Sequence, residues 1–170
     1  MVNNITLCWY IFCCLHVKHQ HIETYTIGTC MKKQKIRIYF GCSLTHASKE
    51  FIRDNNRLKK ILRKKVEVFE FAGLTPPVGE VYQHDTNMVR RCDVVVANIS
   101  HPSLGLGMEM GIAIENKKPL ITLIDDSCKT TRFLILGYVD PFHFSLRYTS
   151  IAQAGRFVLE KLHYLFPEAV

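Results

Sequence analysis

From Lys35 onward, short apolar runs alternate with longer stretches in which apolar residues recur every three or four positions. Lys35 to Gly41 (KIRIYFG) alternates apolar and polar residues and closes on a glycine, the pattern of a strand. Residues 47–64 carry Phe51, Leu58, Ile61 and Leu62 at helical spacing. Residues 66–71 predict a second strand, stopped by Gly73 and by Pro76 and Pro77, and residues 79–91 a second helix. The run DVVVAN at 93–98 is almost continuously apolar, as expected of a parallel strand covered on both faces. A loop around His101, Pro102 and Ser103 leads to a helix predicted from about Met108 to Asn116. Residues 119–124 (PLITLI) form a further buried strand, and Ile151, Ala154, Val158, Leu162 and Leu165 mark an amphipathic closing helix.

Strands alternating with helices imply right-handed βαβ crossovers. The fold class expected is α/β: an open parallel five-stranded sheet with helices on both faces, flavodoxin- or Rossmann-like. Ligands of such sheets bind beyond the carboxyl ends of the strands, where the strand order switches. The loops after Gly41, Phe71 and Asn98 should therefore converge on the site.

Residues 1–34 follow a different pattern. The apolar, cysteine-rich run Ile5 to Leu15 is too short to span a bilayer as a helix and lacks the features of a signal peptide. Met31 precedes Lys32-Lys33 and the first strand, so residues 1–34 read as an extension, disordered or preceding the true start. Residues 35–170 read as one catalytic α/β domain, which their length supports.

Charge and cysteines narrow the picture. The formal net charge is +7, and eight basic residues fall between Lys49 and Lys65. No aromatic residues interleave with them as stacking partners, so the run reads as a solvated helix face and no nucleic-acid partner is expected. Seven cysteines without a Cys-x-x-Cys pair suggest reduced thiols and a cytoplasmic protein. No metal, other cofactor or membrane partner is expected.

The stretch 100–110 (SHPSLGLGMEM) is the most informative. Gly105 and Gly107 allow close backbone approach to a ligand, and a helix start offers free N–H groups. Glu109, read in the first turn, would be held ionised by the helix dipole, which suits a nucleophile. By itself it equally reads as an ordinary acid at a helix start. Asp85 shares a helix face with Val81, Met88 and Val89. An acid in an apolar stripe requires a partner, and burial favours its protonated form. A protonated carboxyl beside an ionised one is the arrangement that splits glycosidic bonds. The alternative is a buried acid bonded to loop amides or to Arg90 or Arg91. After the first strand, Gly41, Cys42, Ser43 and Leu44 run into Thr45, His46 and Ser48, a small-residue turn able to cradle an anion. Ser43 or Thr45 equally reads as a helix N-cap. The turn matches neither a Walker loop nor a Gly-x-Gly-x-x-Gly fingerprint.

Together YFGCSL at 39–44, Asp85, RRCDVVVANIS at 90–100 and HPSLGLGMEMGIAI at 101–114 resemble the nucleoside 2-deoxyribosyltransferase superfamily, in its 2′-deoxynucleoside 5′-phosphate N-hydrolase branch. The resemblance covers roughly residues 35–137 and is carried most specifically by the Pro-Ser-Leu-Gly-x-Gly-x-Glu signature. It implies hydrolysis of the base–sugar bond of deoxynucleoside 5′-monophosphates, with Glu109 as nucleophile, Asp85 as proton donor to the base, and Tyr39 near the sugar and the acids. It implies that Gly41, Ser43, Leu44, Ser103 and Gly105 hold the substrate and its phosphate. The family's Arg- and Gly-containing turn is replaced here by Leu44-Thr45-His46-Ala47, which leaves His46 or Lys49 to meet the phosphate. The resemblance also implies a homodimer or higher homo-oligomer, with a hydroxyl from a neighbouring subunit placed near Thr131. Two alternatives stay open: a deoxyribosyltransferase that exchanges bases, and a nucleotide-binding module without turnover.

Overall fold

A computed structural model of the chain describes residues 35–45, 47–71, 77–128 and 134–169. The extension expected at residues 1–34 lies outside these residues, as do His46, Gly73, Pro76 and Thr131. The described residues belong to one compact unit, Lys33–Val170.

Five strands, β1 (Arg37–Cys42), β2 (Glu67–Phe69), β3 (Val94–Asn98), β4 (Leu120–Asp125) and β5 (His143–Tyr148), form one sheet in the order β2-β1-β3-β4-β5. Every pairing is parallel. The helices are α1 (Lys49–Leu62), α2 (Val78–Arg91), α3 (Leu104–Glu115) and α4 (Ile151–Leu165), with a short 3₁₀ turn at Leu134–Gly137. The fold class is the one expected.

The period of two along each strand divides the core into two halves. Ile38, Phe40, Val94, Val96, Ile121 and Leu123 pack with Leu58 and Leu62 of α1 and Val158 and Leu162 of α4. Tyr39, Val95, Ala97, Leu120 and Ile124 face the other way, onto Val89 of α2 and Leu106, Met110 and Ala113 of α3. The strand order reverses between β1 and β3, so the loops leaving those strands diverge to opposite faces. The crevice between them is where a ligand is expected.

Three boundaries differ from the sequence pattern. The pattern located no strand at His143–Tyr148, because HFSLRY mixes polar and apolar residues and only Tyr148 is fully buried, as befits an edge strand. The N-cap of α1 is Ser48, whose hydroxyl accepts from the Phe51 amide at 3.1 Å, so neither Ser43 nor Thr45 caps it. Helix α3 begins at Leu104, four residues before the predicted start. Ser103 caps it, its Oγ accepting from the Leu106 amide at 3.3 Å.

A buried polar brace joins the carboxyl ends of the strands. Asn98 Nδ2 donates to Asn55 Oδ1 and to the Tyr148 hydroxyl, both at 2.9 Å. The Ser100 hydroxyl donates to Asn98 Oδ1 at 2.6 Å and accepts from the Asp125 amide at 2.8 Å. The segment leaving β3 is thereby tied to α1, β4 and β5, which orients the turn that starts α3.

Candidate active site

Three side chains come together where β1 ends against α2 and α3. Tyr39 is fully buried beneath the sheet's α2–α3 face. Asp85, midway along α2, and Glu109, in the second turn of α3, are each 9% exposed. A buried carboxyl needs room as well as partners, and Gly41 provides it. A Cβ on residue 41 would stand 2.9 Å from Glu109 Oε2, 2.6 Å from Leu106 Cδ1 and 3.3 Å from Tyr39 Cε1. Only a residue without a side chain lets the Glu109 carboxylate pack against β1.

The ionisation of Glu109 differs from the sequence expectation. With α3 starting at Leu104, Glu109 sits beyond the first turn, where the dipole has little hold. Burial dominates instead. It pushes the carboxyl up to about 7, with the nearby Asp85 carboxylate adding to the rise and the Tyr39 hydroxyl opposing it. Tyr39 is itself raised far above the ordinary phenol range, by burial first and then by the Glu109 and Asp85 carboxylates. Its hydroxyl is buried and makes no hydrogen bond of good geometry with a described residue. It nevertheless lies close enough to Glu109 for each group to shift the other.

Asp85 has His84 as a neighbour. His84 Nδ1 lies 2.9 Å from Asp85 Oδ1, and the imidazole is partly open to solvent. Asp85 lies on a helix face that it shares with Val81, Met88 and Val89.

Two hollows open at this point. A small one of about 190 Å³ is lined by Asp85 and Glu109 together with Cys42, Leu44, Phe71, Val81 and others. A larger one of about 610 Å³ runs along the start of α3, bounded by Ser43, Thr45, His101, Pro102 and Gly107 among others. Thr45, Ser103, Gly105 and Leu106 border both, so the hollows adjoin across the α3 N-terminus. A side chain on Gly105 would meet only Ser103 Oγ, at 3.9 Å, and one on Gly107 would meet no protein atom within 4 Å. The space beside these glycines is open among the described residues.

Of the site residues expected from sequence, Tyr39, Gly41, Leu44, Asp85, Ser103, Gly105 and Glu109 come together here. Ser43 is nearly fully buried, and its hydroxyl donates to the Pro102 carbonyl at 3.2 Å, so it ties the two loops together. His46 and Thr131 lie outside the described residues. The sequence pattern did not single out Cys42, Phe71, Val81 or His101 as site residues. Phe71 follows β2 and is backed by the Lys59 ammonium, 5.2 Å from its ring centre. No group of three or more His, Cys, Asp or Glu side chains with metal-holding geometry occurs among the described residues.

A sequence profile for nucleoside 2-deoxyribosyltransferase matches residues 38–139, a span that contains all of these residues. The chain is similar to a protein named putative 2′-deoxynucleoside 5′-phosphate N-hydrolase 1 from Thermofilum pendens, 30% identical over 99 residues, or 58% of this chain and 65% of the relative. It is also similar to the 5-hydroxymethyl-dUMP N-hydrolase of Rattus norvegicus, 34% identical over 79 residues, 41% of this chain and 48% of the relative. The matched stretches thus span between about half and two thirds of these relatives' lengths. Among solved structures, the Clostridium botulinum CMP N-glycosidase BcmB superposes with a TM-score of 0.56 at 18% identity, covering 72% of this chain and 97% of that one. That likeness is one of fold.

Proposed function

Since the chain belongs to the nucleoside 2-deoxyribosyltransferase family, we propose that it is an N-glycosidase that hydrolyses the base–sugar bond of 2′-deoxynucleoside 5′-monophosphates through a covalent glycosyl–Glu109 intermediate. The observation that carries this reading is the Glu109 carboxyl, buried between Gly41, Tyr39 and Asp85 and facing an open hollow. A buried carboxyl without function is expensive, and here several residues are arranged around it.

In the proposed first step, a Glu109 oxygen forms a bond to the anomeric carbon as the bond to the base breaks. Asp85 delivers a proton to the departing base nitrogen, so the base leaves neutral. Water then attacks the same carbon, gives its proton to Asp85 and releases Glu109. The transition state carries oxocarbenium character, which the Glu109 carboxylate stabilises at close range in a water-poor hollow. Tyr39 directs its hydroxyl at that carboxylate and favours the ionised form needed for attack. The larger hollow along α3 takes the 5′-phosphate, where Ser103 and the first amides of the helix offer donors. The names of the two N-hydrolase relatives support the nucleotide as substrate.

The test is release of free base from a panel of deoxynucleoside and ribonucleoside monophosphates and the matching nucleosides. Wild-type protein is expected to act on the deoxynucleoside monophosphates. E109A should lose at least about 10³-fold in rate while still binding the nucleotide. Base release by E109A at the wild-type rate would remove Glu109 from the mechanism. Preference for free nucleosides, with the sugar passed to a second base, would make the protein a transferase. Absence of base release from every substrate would end the enzyme reading.

A further inference from the structure

The proposed nucleotide reading leaves a charge to be matched. A 5′-phosphate carries up to two negative charges, and phosphate sites normally meet them with a cationic side chain. The hollow of about 610 Å³ along α3 contains no lysine or arginine among its described lining residues. Its neutral donors are few. The Ser43 hydroxyl is already given to the Pro102 carbonyl. The Ser103 hydroxyl accepts from Leu106 and has one hydrogen left to donate.

His101 is the one described lining residue able to carry a positive charge. It stands on the turn between β3 and α3, immediately before the Pro-Ser-Leu-Gly segment. Its ring is held edge-on against Phe51 of α1, with the ring centres 4.6 Å apart and the planes at 78°. Both ring nitrogens are free of hydrogen bonds to any described residue. The carboxylates nearby border a second hollow, which His101 and Phe51 also line. Glu50, Asp54 and Asp125 line a cavity of about 630 Å³ that lies across His101 and Pro102 from the first. An anion is thus disfavoured on that side.

We infer that His101 is the cationic contact for the substrate's 5′-phosphate, placed by Phe51, and that it sets the preference for monophosphates over nucleosides. This rests on the nucleotide reading above. In substitution, glutamine keeps a donor and loses the charge, while alanine loses both. H101Q and H101A are expected to lower kcat/KM for a deoxynucleoside monophosphate by about 10- to 100-fold, mostly through KM. Slow hydrolysis of the nucleoside should be unchanged. An equal loss on both substrates, or none on either, would overturn the inference. The imidazole resonances of His101 in the wild-type protein give a second measurement that does not depend on the variants folding. They should shift saturably on titration with inorganic phosphate, and an absence of movement would count against the inference. If the wild type releases no base from any nucleotide, the function reading fails, and this titration still decides whether His101 binds phosphate.

Discussion

At the scale of single residues, the site turns on how one carboxyl is held. Glu109 must be ionised to attack, yet burial holds its protonated form up to about pH 7. Attack also needs the transferred proton on Asp85, so the working pair carries one proton between its two carboxyls. That proton is lost as the pH rises through about 7, so the descending limb of kcat/KM, which reports the free enzyme, should lie there. Tyr39 is the group that opposes the rise, so Y39F should move the limb to higher pH. The position of the limb is the measurement that matters, since loss of a sugar contact would lower the curve without moving it. A limb near the ordinary carboxylate range in wild-type protein would contradict the burial seen here. Glu109 itself was legible in the sequence, from the glycine-spaced signature around it. Its ionisation was not. That depends on Gly41 and Tyr39, about seventy residues earlier, and on a helix that begins four residues sooner than the pattern indicated. The placing of Asp85 on an apolar helix face was legible for a simpler reason: spacing along one helix is a local property.

At the scale of elements, the early start of α3 has a physical cause. Gly105 and Gly107 read as loop residues because each disfavours a helix by about 1 kcal/mol relative to alanine. The Ser103 cap and the burial of Leu106 and Met110 outweigh that penalty, and neither is visible in a propensity pattern. The buried strands were easily read, since VVVAN has no other reasonable place to go. The edge strand β5 was not, because its pattern is that of a half-exposed segment. What holds these elements in register at the functional end is the Asn98 brace, which joins β3 to α1, β4 and β5. N98A would leave Asn55, Tyr148 and Ser100 each short of a buried partner, at roughly 2–4 kcal/mol in total. The midpoint of thermal unfolding should fall by about 5–12 °C. N98L, which fills the space and leaves the same partners unmatched, should be no better. A melting point within about 2 °C of wild type would mean that water replaces the brace without loss.

At the scale of the molecule, α3 carries apolar residues that no other described residue covers. The helix is apolar around nearly its whole circumference, which is the pattern of a helix covered on all sides. Yet Leu104 is 96% exposed, and Met108, one turn on, is exposed as well. Beside it, α2 presents Val78, 88% exposed, and Tyr82 one turn later. The two helices pack against each other through Val89, Leu106 and Met110, so the exposed residues are left on the outside of one helical layer. Exposed apolar residues on two adjacent helices are a candidate contact for a partner. A second copy of the chain, related by a two-fold axis, would bury the same residues on both molecules at once. It also fits the dimer implied by the family resemblance. No described helix is long and apolar enough to cross a membrane, so these apolar helices are not membrane spans. Sedimentation at tens of micromolar should therefore give about twice the chain mass. The double variant V78D/M108E puts two carboxylates into the proposed contact and should weaken association by about 100-fold or more, while far-UV circular dichroism stays that of the folded chain. Because Leu104 also borders the hollow along α3, the monomer should lose base-releasing activity along with its partner. A wild-type protein that sediments as a monomer, or a double variant that stays dimeric, would show that the α2–α3 face is covered in some other way.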